Sequence, residues 1–251
     1  MRITFVGHST VLVELDGLRL LTDPVLRSRV LHIVREPPAV RPETIGHVDI
    51  VLISHMHHDH FDPASLRTIA GGFELVVPSG GGKLAAKLGL ERVTELEVDE
   101  TSTFGEIAVT ATHAEHRSGR LLHWGSESIG FKINGSQNVY FAGDTDIFPG
   151  MKGLQSDLDL ALLPVGGWGP RLGPGHLDAT RAAESLALLD PRVAVPIHWG
   201  TLYRIGLRRS HRALMSEPPR LFAQEAARLA PSVDVRILEP GESTIIDPVR
   251  S

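Results

Sequence analysis

His55-Met56-His57-His58-Asp59-His60 is the stretch that decides the fold, and it directly follows the apolar run Val48-Asp49-Ile50-Val51-Leu52-Ile53-Ser54. An apolar run of that length is typical of a buried strand, so the histidine cluster lies where a central strand ends. Imidazole and carboxylate groups at such short spacing can converge on one or two borderline cations without help from distant residues. The stretch therefore indicates a metal site rather than a polar turn.

Composition points to an ordinary globular protein. The chain has 251 residues, of which 42% are hydrophobic and 22% are charged, and no apolar run reaches the roughly 18 residues of a membrane span. No signal peptide is visible, so the default expectation is a cytoplasmic location without a transmembrane segment. The net charge of −5 argues against nucleic-acid binding. We expect a small-molecule substrate, and a homo-oligomer stays open.

The sequence contains no cysteine. This absence excludes disulfides, a thiol nucleophile and thiolate metal ligands together. Any metal must then be held by nitrogen and oxygen atoms. Such a site suits Zn²⁺, Fe or Mn²⁺ in catalytic use better than a closed structural zinc.

Asp or His follows an apolar or alternating strand at five places in the chain. In an open αβ sheet, the loops at the carboxyl ends of strands converge on one crevice. Asp and His residues at separate strand ends therefore predict one common site. The five positions are Asp23, His55, His113 to His116, Asp144 and His198.

The two halves of the chain repeat one order of elements. A hairpin around Asp16-Gly17 ends at Asp23, and a second hairpin around Asn134-Gly135-Ser136 ends at Asp144. The apolar stretch 159–165 then repeats the strand that precedes the histidine cluster. We predict a duplicated αβ half packed against its twin.

The segment Val25 to Thr44 is rich in arginine and proline and has no clear period. A loop this long predicts either a flap over the site or a solvated crossover. Its apolar part, Val30 to Val34, could contact lipid or form a buried strand or helix. The other predicted elements are helices at 64–70, 83–88, 179–189 and 219–229, and strands at 75–78, 93–98, 107–112, 193–197 and 233–238.

The pattern His-x-His-x-Asp-His after an apolar strand resembles the signature of the metallo-β-lactamase superfamily of metal-dependent hydrolases. The resemblance covers essentially the whole chain and implies a single domain over residues 1–251. It also implies an α/β fold, the four-layer αββα sandwich with two mixed sheets and a weak internal duplication. Two divalent metal ions are expected, Zn²⁺ first, with Mn²⁺ or Fe as alternatives.

The same resemblance implies a set of ligands for these two ions. His116 is preferred to His113, because Thr112-His113-Ala114-Glu115-His116 resembles the family's Thr-Pro-Ala-Gln-His stretch. The implied first ion is held by His55, His57 and His116, the second by Asp59, His60 and His198, and Asp144 bridges them.

Further residues are expected near these ligands. Asp23 would be an outer carboxylate that orients the histidine cluster, a role that such sites need filled. His8 either lies beside the metals or is a hydrogen-bonded structural residue. His58 occupies the variable position of the motif and is expected to face solvent. The histidines without supporting context are expected at the surface, namely His32, His47, His123 and His211.

Several short stretches resemble one branch of the superfamily. That branch contains the N-acylphosphatidylethanolamine-hydrolysing phospholipase D and its bacterial relatives, and the ascorbate-6-phosphate lactonase proteins share part of the pattern. His176 in Gly173-Pro174-Gly175-His176 matches the place of a site histidine in this branch, although Gly175 stands where the branch has Gln. The matching stretches are Gly7 to Val13, Leu21 to Val25, Ile197 to Thr201 and Glu217 to Pro219.

The implied chemistry is hydrolysis. Two metal ions lower the pKa of a bridging water and generate hydroxide for attack on a phosphodiester, a lactone, an ester or an amide. Asp59 would position the nucleophile as well as bind metal. His176 would donate to an oxyanion or protonate the leaving group, or else it holds a loop at a helix entry.

The predicted function is a dinuclear metal-dependent hydrolase that acts on a phosphodiester-type or other anionic small substrate. Arg171, or the arginines between Arg204 and Arg212, would bind the anionic group through bidentate contacts. The arginines after His198 could equally form a solvated helix face. The alternatives are a lactonase or carboxylic-ester hydrolase on the same metals, and a non-catalytic metal-binding regulatory protein.

Overall fold

The computed structural model describes residues 1–36, 40–116, 127–169, 171–206 and 212–248. Strands dominate these ranges, as expected from the alternating and apolar runs of the sequence. In chain order they are β1 (Arg2–Gly7), β2 (Thr10–Leu15), β3 (Leu18–Thr22), β4 (Arg29–Val30), β5 (Ile33–Arg35), β6 (Ile50–Leu52), β7 (Glu74–Pro78), β8 (Val93–Leu96), β9 (Thr101–Phe104), β10 (Ile107–His113), β11 (Ile129–Asn134), β12 (Asn138–Phe141), β13 (Leu160–Pro164), β14 (Val193–Ile197), β15 (Leu202–Arg204), β16 (Asp234–Val235) and β17 (Ser243–Ile245).

Helices are fewer and mostly short. Within the described part of the chain, none is both long enough and apolar enough to cross a bilayer. The helices are α1 (Pro42–Ile45), α2 (Pro63–Leu66), α3 (Gly82–Lys87), α4 (Ala179–Leu189) and α5 (Arg212–Leu229), with a 3-10 helix at Pro149–Leu154.

Two large mixed sheets hold most of the strands, and each has seven strands among the described residues. The first has the order β17-β1-β2-β3-β6-β7-β8, and the second has the order β16-β14-β13-β12-β11-β10-β9. In the first sheet, β1, β2 and β3 are antiparallel and β3, β6, β7 and β8 are parallel. The second sheet repeats this plan, since β10, β11 and β12 are antiparallel and β12, β13, β14 and β16 are parallel. The duplication predicted from the sequence is therefore present in the topology.

The two sheets pack face to face. In β2, Val11 and Val13 point into the core between the sheets, where they meet residues such as Phe131, whereas Leu12 points to the opposite face. This alternation follows from the two-residue period of a strand. Helices α2 and α3 cover the outer face of the first sheet, and α4 and α5 cover that of the second. The four-layer αββα arrangement predicted for the chain is confirmed.

A third, small sheet forms from the segment that the sequence marked as an irregular loop. Strands β4 and β5 pair with each other, and β5 also pairs with β15, which follows His198 in the chain. Val30 and Ile33 are buried in this small sheet, while Leu31 at the turn is exposed. Of the alternatives for Val30 to Val34, the buried strand is the one found, and the prediction of a loop without secondary structure was wrong there. One partner of β5 is the neighbouring β4, and the other, β15, lies about 170 residues away and leaves no local pattern.

Three predicted elements differ from the structure by more than two residues at one end. Helix α5 begins at Arg212 rather than at Pro219 and has Pro218 and Pro219 inside it, because a proline removes its own N–H bond but need not end the helix before it. Helix α2 ends at Leu66, after which the chain tightens into i to i+3 hydrogen bonds. The closing strand expected at 233–238 is only two residues long, and the chain crosses to β17 at the edge of the first sheet.

Helix α4 offers a direct test of its capping residue. The side chain of Asp178 accepts a hydrogen bond from the backbone N–H of Arg181, with an N to O distance of 2.9 Å. Asp178→Ala is expected to lower the free energy of unfolding by about 1 kcal/mol, because the N–H loses its acceptor at the helix N-terminus. Urea denaturation measures this change. Glu184→Ala, on the exposed face of the same helix, is the control and should change stability by less than about 0.5 kcal/mol.

Candidate metal centre

The residues predicted from the strand ends meet at one edge of the sandwich, between the two sheets. Asp23 follows β3, the cluster 54–60 follows β6, and His116 lies just beyond β10. Asp144 follows β12 and His198 follows β14. All of these strands end at the same edge because the parallel strands of each sheet run in one direction.

One group of nitrogen atoms comes from His55, His57 and His116. The Nε2 atom of His55 lies 2.9 Å from Nδ1 of His57, and that Nδ1 lies 3.4 Å from Nε2 of His116. Ligand atoms around one tetrahedral Zn²⁺ are about 3.3 Å apart, given Zn–N bonds of about 2.0 Å. The three nitrogens could therefore hold one cation.

A second group comes from Asp59, His60 and His198. The Nε2 atoms of His60 and His198 are 3.3 Å apart. The Oδ2 atom of Asp59 lies 3.5 Å from the first and 3.9 Å from the second. All three side chains are almost completely buried, and together with a ring nitrogen of His8 their ligand atoms lie close enough to hold another cation.

The carboxylate of Asp144 stands between the two groups. Its Oδ2 lies 3.9 Å from Nε2 of His55 and 3.3 Å from Nε2 of His60. Its Oδ1 lies 3.2 Å from Nε2 of His198 and is buried without a hydrogen-bond partner. A buried carboxylate oxygen without a donor is costly, and a bound cation would compensate it. The side chain thus reaches both groups at once.

Hydrogen bonds on the far side of the imidazole rings fix which nitrogen faces the cavity. Nδ1 of His116 lies 2.9 Å from the carbonyl oxygen of Gly175, and Nδ1 of His198 lies 2.7 Å from that of Gly166. A carbonyl can only accept, so Nδ1 carries the proton in both rings and Nε2 presents a lone pair. The two Nε2 lone pairs point into the site, where they are available to a cation.

Burial and charge act on these side chains in opposite directions. Burial lowers the pKa of His57 to about 4 and that of His198 to about 3, so both rings are neutral near pH 7. Burial alone would also lower the pKa of His60, but the carboxylates of Asp144, Asp59 and Asp23 outweigh it and raise that pKa well above its usual value. The negative charge that would hold a proton on His60 also attracts a divalent cation.

Asp23 lies behind the histidines and is completely buried. Its Oδ2 accepts from Nδ1 of His60 at 2.7 Å and from the hydroxyl of Ser54 at 2.6 Å, and its Oδ1 accepts from the backbone N–H of Ser54 at 2.7 Å. Ser54 in turn contacts Nδ1 of His55 at 3.0 Å. One carboxylate thus orients the rings of His55 and His60.

The backbone around the site is strained at several positions. His8, Asp23 and His198 all adopt left-handed conformations, with φ angles of 57°, 35° and 62°. Such conformations are costly for residues other than glycine and cluster at functional sites. Gly143, next to Asp144, has a φ of 61°, and a Cβ there would lie 2.7 Å from the Cβ of Ser54. The turn that presents Asp144 therefore requires glycine.

Two ring nitrogens lie close to the Oδ2 atom of Asp59. Nε2 of His8 lies 3.1 Å from it, and the indole Nε1 of Trp168 also lies 3.1 Å from it. The backbone of His8 is itself held, because its carbonyl accepts from the N–H of His198 at 2.8 Å. His8 thus lies beside the predicted ligands.

A cavity of about 300 Å³ opens onto the carboxylates and histidines. His176 lies in its wall, with Nε2 3.3 Å from Oδ2 of Asp144. Burial would lower the pKa of His176, but the hydrogen bond and charge of Asp144 outweigh it and raise that pKa. Trp168 and Leu172 form apolar parts of the wall, and the exposed Arg171 lies between them in the chain.

The structure also shows the positions of histidines outside the two ligand groups. His113 is exposed and packs edge-on against Phe148, away from the two ligand groups. His58 is half-buried and lines the cavity, so the expectation that it faces solvent was wrong. His32 and His47 are exposed as expected, although the His32 ring lies 5.4 Å from that of His58.

Arg204 is the one remaining predicted residue whose side chain the structure describes. Arg204 is exposed at the end of β15. His123, Arg208, Arg209 and His211 lie outside the described residues, as does the side chain of Arg212.

Four groups at the site were not predicted from the sequence, namely Trp168, Ser54 and the carbonyls of Gly166 and Gly175. A signal for Trp168 was available, because it follows the apolar strand β13 as the other site residues follow theirs. Ser54 directly precedes the histidine cluster. The two carbonyls left no signal, because a backbone acceptor can belong to any residue type.

Solved structures share the whole fold. A metallo hydrolase from the archaeon Ignicoccus hospitalis superposes with a TM-score of 0.72 at 24% identity, and the match covers 97% of each chain. An isothiocyanate hydrolase from Delia radicum gut bacteria gives a TM-score of 0.73 at 21% identity, covering 98% of this chain and 99% of that one. At these identities the likeness concerns the fold.

Sequence comparison identifies the family. The model described as "Beta-lactamase superfamily domain" matches residues 18–199. A UPF0173 metal-dependent hydrolase of Methanopyrus kandleri is 33% identical over 257 residues, which cover 97% of this chain and 99% of that protein. A UPF0173 metal-dependent hydrolase of Opitutus terrae is 33% identical over 252 residues, with the same coverage. This chain therefore belongs to the beta-lactamase superfamily, in one family with these metal-dependent hydrolases.

Proposed function

We propose that the chain is a dinuclear metal-dependent hydrolase. The observation that carries this proposal is the carboxylate of Asp144, which reaches two groups of ligand atoms and has one buried oxygen without a donor. One ion would be held by His55, His57 and His116, and the other by Asp59, His60 and His198, with Asp144 shared between them. A site built from nitrogen and oxygen alone suits Zn²⁺, with Mn²⁺ or Fe as alternatives.

Bound divalent cations supply Lewis acidity, which polarises a substrate oxygen and makes water acidic enough to attack near neutral pH. The residues of the chain would do the remaining work. Asp59 faces the cavity and would orient the attacking water. His176 would donate its proton to an oxyanion or to the leaving group, since it lines the cavity and Asp144 raises its pKa.

The substrate would carry an anionic group, and a phosphodiester is the leading class. Arg171 lines the cavity and is exposed, so its guanidinium is available for a bidentate contact with phosphate or carboxylate oxygens. The apolar walls at Trp168 and Leu172 support a second class, a lactone or carboxylic ester, on the same metals.

The test is hydrolysis of a small substrate panel by the protein after it has been stripped of metal and reconstituted with Zn²⁺, Mn²⁺ or Fe²⁺. The panel contains a chromogenic phosphodiester, a phosphomonoester, a lactone and a carboxylic ester, and the metal-free protein is the blank. Metal-dependent turnover of the phosphodiester supports the leading class. Turnover of the lactone or ester alone supports the second class. A protein that binds no metal and turns over nothing contradicts the proposal.

Two neighbouring histidines provide a matched pair of variants. His116→Ala is expected to remove one of two bound ions and to lower turnover at least about a hundredfold, because the ion loses one of its three nitrogen ligands. His113→Ala is expected to leave both properties unchanged, since His113 is exposed and outside the ligand groups. Metal content per chain and initial rates measure the difference. Equal losses in the two variants would contradict the assignment of His116.

A further inference from the structure

Trp168 lies at the junction between the cavity and the small three-stranded sheet. Its indole packs against the apolar cluster of Val25, Val30, Ile33 and Leu202. Its ring also meets that of His32 edge-on, with centroids 5.2 Å apart. Its carbonyl oxygen accepts from the backbone N–H of Arg204 at 3.1 Å. The indole is therefore held on several sides, and a held side chain can impose a position on its own partner.

The partner is the carboxylate of Asp59. Trp168 donates its indole N–H to Oδ2, the oxygen that also faces the Nε2 atoms of His60 and His198. The indole N–H can only donate and the ionised carboxylate can only accept, so this contact has one possible direction.

Nε2 of His8 lies 3.1 Å from the same oxygen, so Trp168 and His8 contact Oδ2 from different parts of the chain. Together they restrict rotation of the carboxylate about its χ2 bond. Without the indole N–H, the carboxylate could rotate, because His8 alone contacts only one of its oxygens. Outer-sphere donors of this kind set the orientation of the ligands they contact.

We propose that Trp168 is a positioning residue, which holds the Asp59 carboxylate toward His60 and His198 and thereby raises the affinity of the ion at that group. The proposal rests on the function proposed above. It assigns to the loop after β13, and to the small sheet that packs on Trp168, a role in metal binding. Removing the indole N–H lowers the affinity for the ion next to Asp59. The affinity for the ion at His55, His57 and His116 stays unchanged.

The test is a titration of metal-free protein with Zn²⁺ in competition with a chromophoric chelator, which gives two stepwise affinities. The affinity that falls in Asp59→Asn identifies the ion next to Asp59. Trp168→Phe keeps an aromatic ring but loses the N–H, and it is expected to lower that same affinity about 10- to 100-fold. In the Asp59→Ala background, Trp168→Phe is expected to have no further effect, since no side-chain acceptor is then left for the indole.

Trp199→Phe is the control for loss of an indole N–H, because Nε1 of Trp199 donates to the carbonyl of Pro196 instead of a carboxylate. It should leave both affinities unchanged. A merely structural role of Trp168 predicts that both affinities fall together, and this result overturns the proposal. So does an unchanged or higher affinity of the ion next to Asp59. If the wild-type protein binds no Zn²⁺ at all, the proposed function fails and the role of Trp168 fails with it.

A second measurement needs no variant. In wild-type protein labelled with ¹⁵N in its tryptophans, an indole N–H bonded to a carboxylate should shift when the adjacent ion is bound. We expect one indole resonance to move with the occupancy of the second ion during the Zn²⁺ titration. Saturation with two ions and no shift of any indole resonance overturns the proposal.

Discussion

Asp144→Asn is expected to abolish most of the hydrolytic activity and to release at least one of the two proposed ions. The side chain keeps its shape, but the amide loses the negative charge that Asp144 places between the two ligand groups. Metal-based stabilisation of a transition state contributes several kcal/mol, so the loss corresponds to about a thousandfold or more in rate. Metal content per chain and kcat on the active substrate of the panel measure the two effects.

The control for Asp144→Asn is the same change two residues later. Asp146 is half-buried, and its Oδ1 accepts from Nε of Arg181 at 2.6 Å and from the backbone N–H of Ile147 at 2.7 Å. It belongs to neither ligand group, so Asp146→Asn should keep both ions and the activity. An Asp144→Asn protein that retains both ions and full activity would contradict the bridging role.

Asp23→Asn is expected to weaken metal binding although it replaces none of the proposed ligands. The carboxylate accepts from Nδ1 of His60 and from both donors of Ser54, and an amide would turn a donor toward at least one of them. The Nδ1 proton of His60 would then lose its acceptor, and the ring could present a protonated Nε2 to the cavity. Loss of such an outer-sphere partner lowers metal affinity about 10- to 100-fold.

The same substitution should also destabilise the metal-free protein. Asp23 is completely buried, so an unsatisfied donor beside it costs about 1 to 3 kcal/mol. Chelator competition and urea denaturation separate the two effects. Asp49→Asn is the control, because Asp49 accepts from the backbone N–H of Arg19 and from the ring of His47 at the opposite end of β6. If Asp23→Asn left metal affinity unchanged, the orienting role of Asp23 would be wrong.

Local sequence signals predicted the framework of the site well. The Asp-Gly and Asn-Gly turns lie between β2 and β3 and between β11 and β12, as predicted. The strands β6, β13 and β14 are continuous apolar runs and are completely buried. Asp62 caps α2 by accepting from the N–H of Ser65, and Pro63 opens the helix. Each of these features depends on residues within a few positions of one another, and such interactions are visible in a sequence.

Long-range pairing was not visible in the same way. Strand β17 pairs with β1 across more than 240 residues, and β15 pairs with β5 across about 170. Strands β5, β15 and β17 are only three residues long, so their own pattern is too short to predict them. Strand β17 pairs at the edge of the first sheet, and β5 and β15 pair with each other in the separate small sheet.

The sequence by itself determined the kind of chemistry at the site. Histidine and aspartate at successive strand ends, together with the absence of cysteine, specified a nitrogen and oxygen environment at one edge of a mixed αβ sandwich. The residue types and their order along the chain suffice for this, because the carboxyl ends of parallel strands must meet.

Only the tertiary structure decided which side chains converge and what holds them. It placed His116 rather than His113 next to His57, and it brought Trp168 to Asp59 across 109 positions of the chain. It also supplied the carbonyls of Gly166 and Gly175 as acceptors for histidine protons. Distances of about 3 Å between residues far apart in sequence depend on how the two sheets pack. No local pattern encodes that packing.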